Sequence, residues 1–155
     1  MQTDPTDPSD LLDAPMPVLE EPAERAPLTR VDHVLLALET ILVTSALAGG
    51  IPAIIDPTGN LHGLGVEILE GTAFSDFRLP GIALVMLLGL VPFVAIGGTL
   101  LRKPWVRAAH VEVGIILIAW TLIQVAMVGW FTWVQPLALL LGGAIIVLGV
   151  RNPST

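Results

Sequence analysis

The sequence predicts an all-α protein that crosses a bilayer four times, and three observations point there. Of its 155 residues, 54% are hydrophobic and only 14% charged, which is too apolar for an ordinary soluble domain. The apolar residues gather into four stretches, Val34 to Ile55, Gly81 to Leu101, Val113 to Phe131 and Val134 to Val150. At the α-helical rise these are roughly 25 to 33 Å long, against a hydrocarbon core of about 30 Å. Basic residues, the third observation, lie in the flanks of these stretches and not inside them.

The chain begins with a segment of different character. Residues 1–27 hold seven acidic side chains against Arg25 alone, so they carry −6 of the formal net charge of −7. They also contain Pro5, Pro8, Pro15, Pro17, Pro22 and Pro27. Such a segment buries too little surface to offset chain entropy and is expected to be disordered. It has neither the basic start and apolar core of a signal peptide nor the Arg-rich character of a transit peptide, so the first apolar helix is expected to be an uncleaved anchor. Nucleic acid and anionic headgroups repel an acidic tail, and no nucleic-acid partner is expected. Residues 28–155 form one membrane domain.

The first stretch is preceded by Arg25 and Arg30, the second and third are joined through Arg102, Lys103 and Arg107, and the fourth is followed by Arg151. The opposite side has Arg78 alone. Lys and Arg in short flanks stay in the cytoplasm, so both termini are expected there, in the cell membrane, with the loop from Asp56 to Leu79 outside. That loop opens on the turn-forming Asp56-Pro57-Thr58-Gly59. Leu61, Leu64, Gly65, Ile68 and Leu69 then recur with helical spacing, with Glu67 and Glu70 opposite. A short amphipathic helix is expected, N-capped by Asn60 and stopped by Gly71. Phe74 and Phe77 would anchor its exit, and Pro80 would open the second membrane helix. The fourth stretch is the shortest, and Trp130, Trp133 and Gln135 could support its interfacial end.

Gly49-Gly50, Gly97-Gly98 and Gly142-Gly143 fall at different depths, so they are read as places where helices approach closely and not as marks of an inverted repeat. Pro92 removes one hydrogen bond and should kink the second helix.

Ionisable groups within membrane helices are rare and expensive, and Glu39 and Glu112 are the two here. Both fall in the cytoplasmic half. One reading is a polar pocket that relays protons or holds a ligand; the other is a carboxylate that snorkels or, for Glu112, pairs with Arg107 or Lys103. Gln124 lies in the third helix one turn after Trp120, where its amide serves as a ligand contact beside an indole or as interhelical glue. Glu39, Glu112, Gln124 and Trp120 are therefore the candidate pocket or proton-relay residues. His33 and His110 flank the carboxylates, but His110 and Glu112 are two apart and point to different faces. No metal site is expected, and both histidines are read as interfacial groups meeting water or headgroups. With no cysteine, thiolate sites and disulfides are excluded. No nucleophile arrangement or phosphate-cradling loop is present, so no catalytic residue and no cofactor is assigned.

The runs Asp56-Pro57-Thr58-Gly59, Phe74-Ser75-Asp76-Phe77 with Leu79-Pro80-Gly81, and Trp133-Val134-Gln135-Pro136 resemble small bacterial four-helix membrane proteins grouped as DoxX-like, over about residues 34 to 150. The resemblance implies a bacterial cytoplasmic membrane and assigns no activity. The first functional expectation is a non-catalytic accessory or interaction subunit that meets a membrane-protein partner or a second copy. The alternative is a small-molecule or proton-coupled binding or transport protein with a cytoplasm-facing pocket near Glu39 and Gln124.

Overall fold

A computed structural model describes residues 27–130 and 132–152, apart from the His62 side chain. The acidic tail, Pro27 excepted, lies outside these residues, as does Phe131. Four helices are long and apolar enough to cross a membrane: α1 (Arg30–Ile55), α2 (Arg78–Leu100), α3 (Val106–Val128) and α4 (Val134–Arg151). The protein is a multi-pass helical membrane protein, with no strand among the described residues.

Each helix packs on its neighbours in the order α1, α2, α3, α4, and the ring closes through a slighter α1–α4 contact. Thus α1 faces α3 across the bundle and α2 faces α4. The core runs down the middle through Leu35, Leu42, Leu88, Val113, Leu117 and Ile145. In α1 the buried positions are 32, 35, 39, 42, 46, 50 and 53, steps of three or four that keep one stripe facing inward.

Two glycine contacts set the helix separations. A Cβ on Gly50 would lie 3.0 Å from the Gly81 carbonyl oxygen, and one on Gly114 would lie 2.7 Å from that of Gly142. Backbone therefore meets backbone between α1 and α2 and between α3 and α4. Of the glycine pairs seen in the sequence, Gly50, Gly98 and Gly142 make close contacts, whereas Gly97 and Gly143 border open space.

Helix α2 carries a π segment over Val85–Leu90. Pro92 lies two residues beyond its end; it lacks an N–H, and its ring would collide with the carbonyl four residues back. The wider π turns accommodate both, so the break expected at Pro92 is spread over the preceding turns. Because α2 begins at Arg78, Pro80 is its third residue and not its first.

At the end carrying the termini, α1 starts with a capping box. The Thr29 hydroxyl accepts from the Asp32 amide at 3.1 Å, and Asp32 Oδ2 accepts from the Thr29 amide at 2.7 Å. The other carboxylate oxygen accepts from Asn152 Nδ2 at 2.7 Å, tying the start of α1 to the end of α4. Nearby, Arg107 donates to the Val150 carbonyl at 2.6 Å.

At the opposite end, the single amphipathic helix expected in the long loop is two 3₁₀ turns, Asn60–His62 and Val66–Leu69. Gly63, at φ +64°, breaks the helical path between them, and Gly59 rather than Asn60 occupies the N-cap. Asp56 organises the loop entry by accepting from the Thr58 hydroxyl and from the amides of Thr58 and Leu61. These bonds, the Thr58 hydroxyl first, hold its pKa below the ordinary aspartate value.

Candidate functional site

Glu39 occupies one rung of the inward stripe of α1 where every pattern rule calls for an apolar residue. Its side chain has no solvent exposure, and neither has that of His110. Glu39 Oε1 lies 2.7 Å from His110 Nδ1, so the pair bridges the α1–α3 diagonal. His110 Nε2 lies 3.0 Å from the Thr99 hydroxyl on α2. Thr99 in turn donates to the Ala95 carbonyl at 2.9 Å. Three helices thus contribute one continuous polar chain.

Two proton arrangements satisfy these contacts. With the Thr99 hydroxyl proton on the Ala95 carbonyl, the Thr99 oxygen accepts from His110 Nε2–H, and the Nδ1–Oε1 contact holds one further proton in a pair that is neutral overall. With the Thr99 proton on Nε2, the ring hydrogen lies on Nδ1 and is donated to Glu39. The 2.7 Å separation is that of a charge-assisted bond.

One group is left over. Glu39 Oε2 is buried and has no hydrogen-bond partner, whereas buried polar atoms in native proteins almost always have one. Beyond it towards the long loop lie Leu42, Ala46, Leu88 and Leu117, which form a dry plug. On the other side a cavity of about 20 Å³ touches Thr99 and is bordered by Asp32, Arg102, Lys103, Arg107 and Asn152. That volume suits a single water. Arg102 beside it adopts φ +56°, an uncommon conformation for a non-glycine residue. The polar chain therefore begins at the charged end of the bundle and stops at Glu39.

Glu112, the second carboxylate singled out, lies elsewhere. It is exposed on the outside of α3 and forms no ion pair with Arg107 or Lys103, since Glu39–His110 is the ion pair found among the described residues. Gln124 and Trp120 also part company with Glu39. Gln124 is 14 residues beyond His110 along α3, about 21 Å by helix rise, and both line a separate cavity of about 320 Å³ under the long loop. His110 corrects the sequence expectation most: it is fully buried and not interfacial. Its partner is Glu39 across the bundle and not Glu112 on its own helix. The legible signal was its own stripe, since His110, Val113, Leu117 and Thr121 are buried at steps of three and four. No group of three or more His, Asp or Glu converges as a metal site among the described residues.

With the geometry in view, comparison with protein families, with characterised proteins and with solved structures finds no match to this chain.

Proposed function

We propose that the protein is a proton-coupled binding or transport protein of the cell membrane. In this reading Glu39, His110 and Thr99 take up and release a proton at the end that carries the termini. The observation that supports it is the fully buried carboxylate–imidazole–hydroxyl chain, open towards one end and stopped by the apolar plug at the other. A proton arriving through the one-water cavity would pass by way of Thr99 and His110 to Glu39. Adding it changes the net charge inside the bundle by one, and a dry interior responds strongly to that change. Orientation follows the basic flanks: Arg30, Arg102, Lys103, Arg107 and Arg151 face the cytoplasm. The resemblance to DoxX-like proteins is compatible with that location.

Coupling is tested by accessibility. Ala46 is buried two turns from Glu39 on the same stripe, and the chain has no native cysteine. In an Ala46→Cys protein, labelling by a water-soluble maleimide, divided by that of an exposed Thr58→Cys control to remove the thiol's own titration, should change about tenfold between about pH 5 and 8 if protonation shifts the helices. Adding Glu39→Gln should make that ratio independent of pH. The same pH dependence with and without Glu39 would refute the reading.

An accessory or self-associating subunit is the second reading, and the small residues Gly97 and Gly143 favour it. Both leave open space and fill no contact inside the bundle, which suits the approach of a further helix. It becomes the preferred reading if Glu39 proves silent.

A further inference from the structure

The cavity under the long loop forms where the diagonal pair α2 and α4 is not held together by direct packing. Pro80 and Ala83 of α2 form one wall, Trp120 and Gln124 of α3 another, and Phe74 and Phe77 of the loop cover it. It extends from the helix ends to Trp120, eight residues before the end of α3 and so about 12 Å deep. That depth runs from the headgroup boundary into the upper acyl region. Exposed Ile123 on its rim leaves it open to lipid.

Among the described residues no charged side chain lines the cavity, and its surface is overwhelmingly apolar. Two amides border it. That of Gln135 is already engaged, donating to the Gly129 carbonyl at 3.2 Å and accepting from the Thr132 amide at 3.4 Å. That of Gln124, exposed and four residues before the end of α3, forms no hydrogen bond among the described residues. An amide that both donates and accepts, set in a mostly apolar recess, matches a hydroxyl group on a chain. Its volume of about 320 Å³ lies at the lower end of the range of small-molecule sites.

We infer that this cavity is a binding site for an uncharged single-chain amphiphile with a hydroxyl head, which enters from the bilayer and bonds to Gln124. A charged head is disfavoured because nothing in the lining would compensate its desolvation. The inference does not depend on the proton reading of Glu39, which concerns the other end of the bundle.

The test uses the full chain in phosphatidylcholine nanodiscs with a photoactivatable diazirine derivative of decanol, and adducts mapped by mass spectrometry. Adducts should concentrate on α3 between Trp120 and Val128 and on the loop around Phe74. Excess decanol should suppress them, whereas decanoate at the same concentration should not. Gln124→Leu should weaken labelling about fivefold, the loss of one net hydrogen bond. Ala83→Leu, which fills the wall, should weaken it at least about tenfold; Ala138→Leu on the facing wall serves if that protein does not fold. Adducts spread over all lipid-facing helix surfaces and insensitive to decanol would show ordinary acyl chains and overturn the inference. Equal competition by decanoate would overturn it too.

Discussion

Replacing His110 with leucine is expected to destabilise the bundle by about 3–5 kcal/mol, because it leaves Glu39 buried with neither carboxylate oxygen satisfied. The loss falls towards the lower end if the stranded carboxyl takes up a proton. Glu39→Leu should be milder, about 1–3 kcal/mol, since it strands one imidazole nitrogen and no charge. The informative protein is the double variant Glu39→Leu/His110→Leu. Apolar residues of similar size replace a buried pair with little loss or with a gain, and Thr99 keeps its bond to Ala95. The double variant should therefore be more stable than His110→Leu alone. Unfolding in mixed detergent micelles measures all four proteins on one scale. Losses that simply add would show that the two side chains do not interact.

The second large effect belongs to the α3–α4 contact. A Cβ at Gly114 would sit 2.7 Å from the Gly142 carbonyl oxygen and 2.6 Å from Ile146 Cγ1. A side chain can rotate away, but the carbonyl is fixed in α4. Gly114→Ala should therefore destabilise by about 1–3 kcal/mol through overpacking, even though alanine is the better helix former by about 1 kcal/mol. Gly143→Ala is the control on the same helix pair. It meets nothing, so it should be neutral or stabilising by up to about 1 kcal/mol. Equal effects at both positions would show that the close approach at Gly114 is not what holds α3 to α4.

How much of this was legible in the sequence divides along physical lines. The four spans were, because bilayer thickness imposes a length that apolar composition alone reports. The starts of the first three were not, whereas α4 begins at Val134 as expected: α3 begins at Val106, ahead of the apolar stretch that opens at Val113, because Arg107, His110 and Glu112 are helical without being apolar. The rotation of each helix was hidden as well. Apolar residues on all sides leave almost no amphipathic signal to show which face points inward. So Glu39 could be flagged as costly, but whether it faced His110, Gln124 or lipid could not be read from spacing along one helix. The cyclic order of the helices decides that. It places His110 opposite Glu39 and leaves Gln124 and Trp120 in a different cavity. In the long loop, the helical spacing of Leu61, Leu64 and Ile68 was real, but Gly63 in the left-handed region divides it into two short turns.

Whether Glu39 and His110 form one proton-binding unit inside the bundle is read out by infrared difference spectroscopy of the protein in lipid. Spectra taken between about pH 5 and 8 report a carboxyl group through the carbonyl stretch of its acid form. Subtracting the Glu39→Gln protein removes the contribution of every other carboxylate. A band from a dry, buried carboxylic acid should gain or lose intensity with pH in the wild type, be missing from Glu39→Gln, and move in frequency or midpoint in His110→Gln. Wild-type and Glu39→Gln spectra that superimpose across the whole range would contradict such a unit.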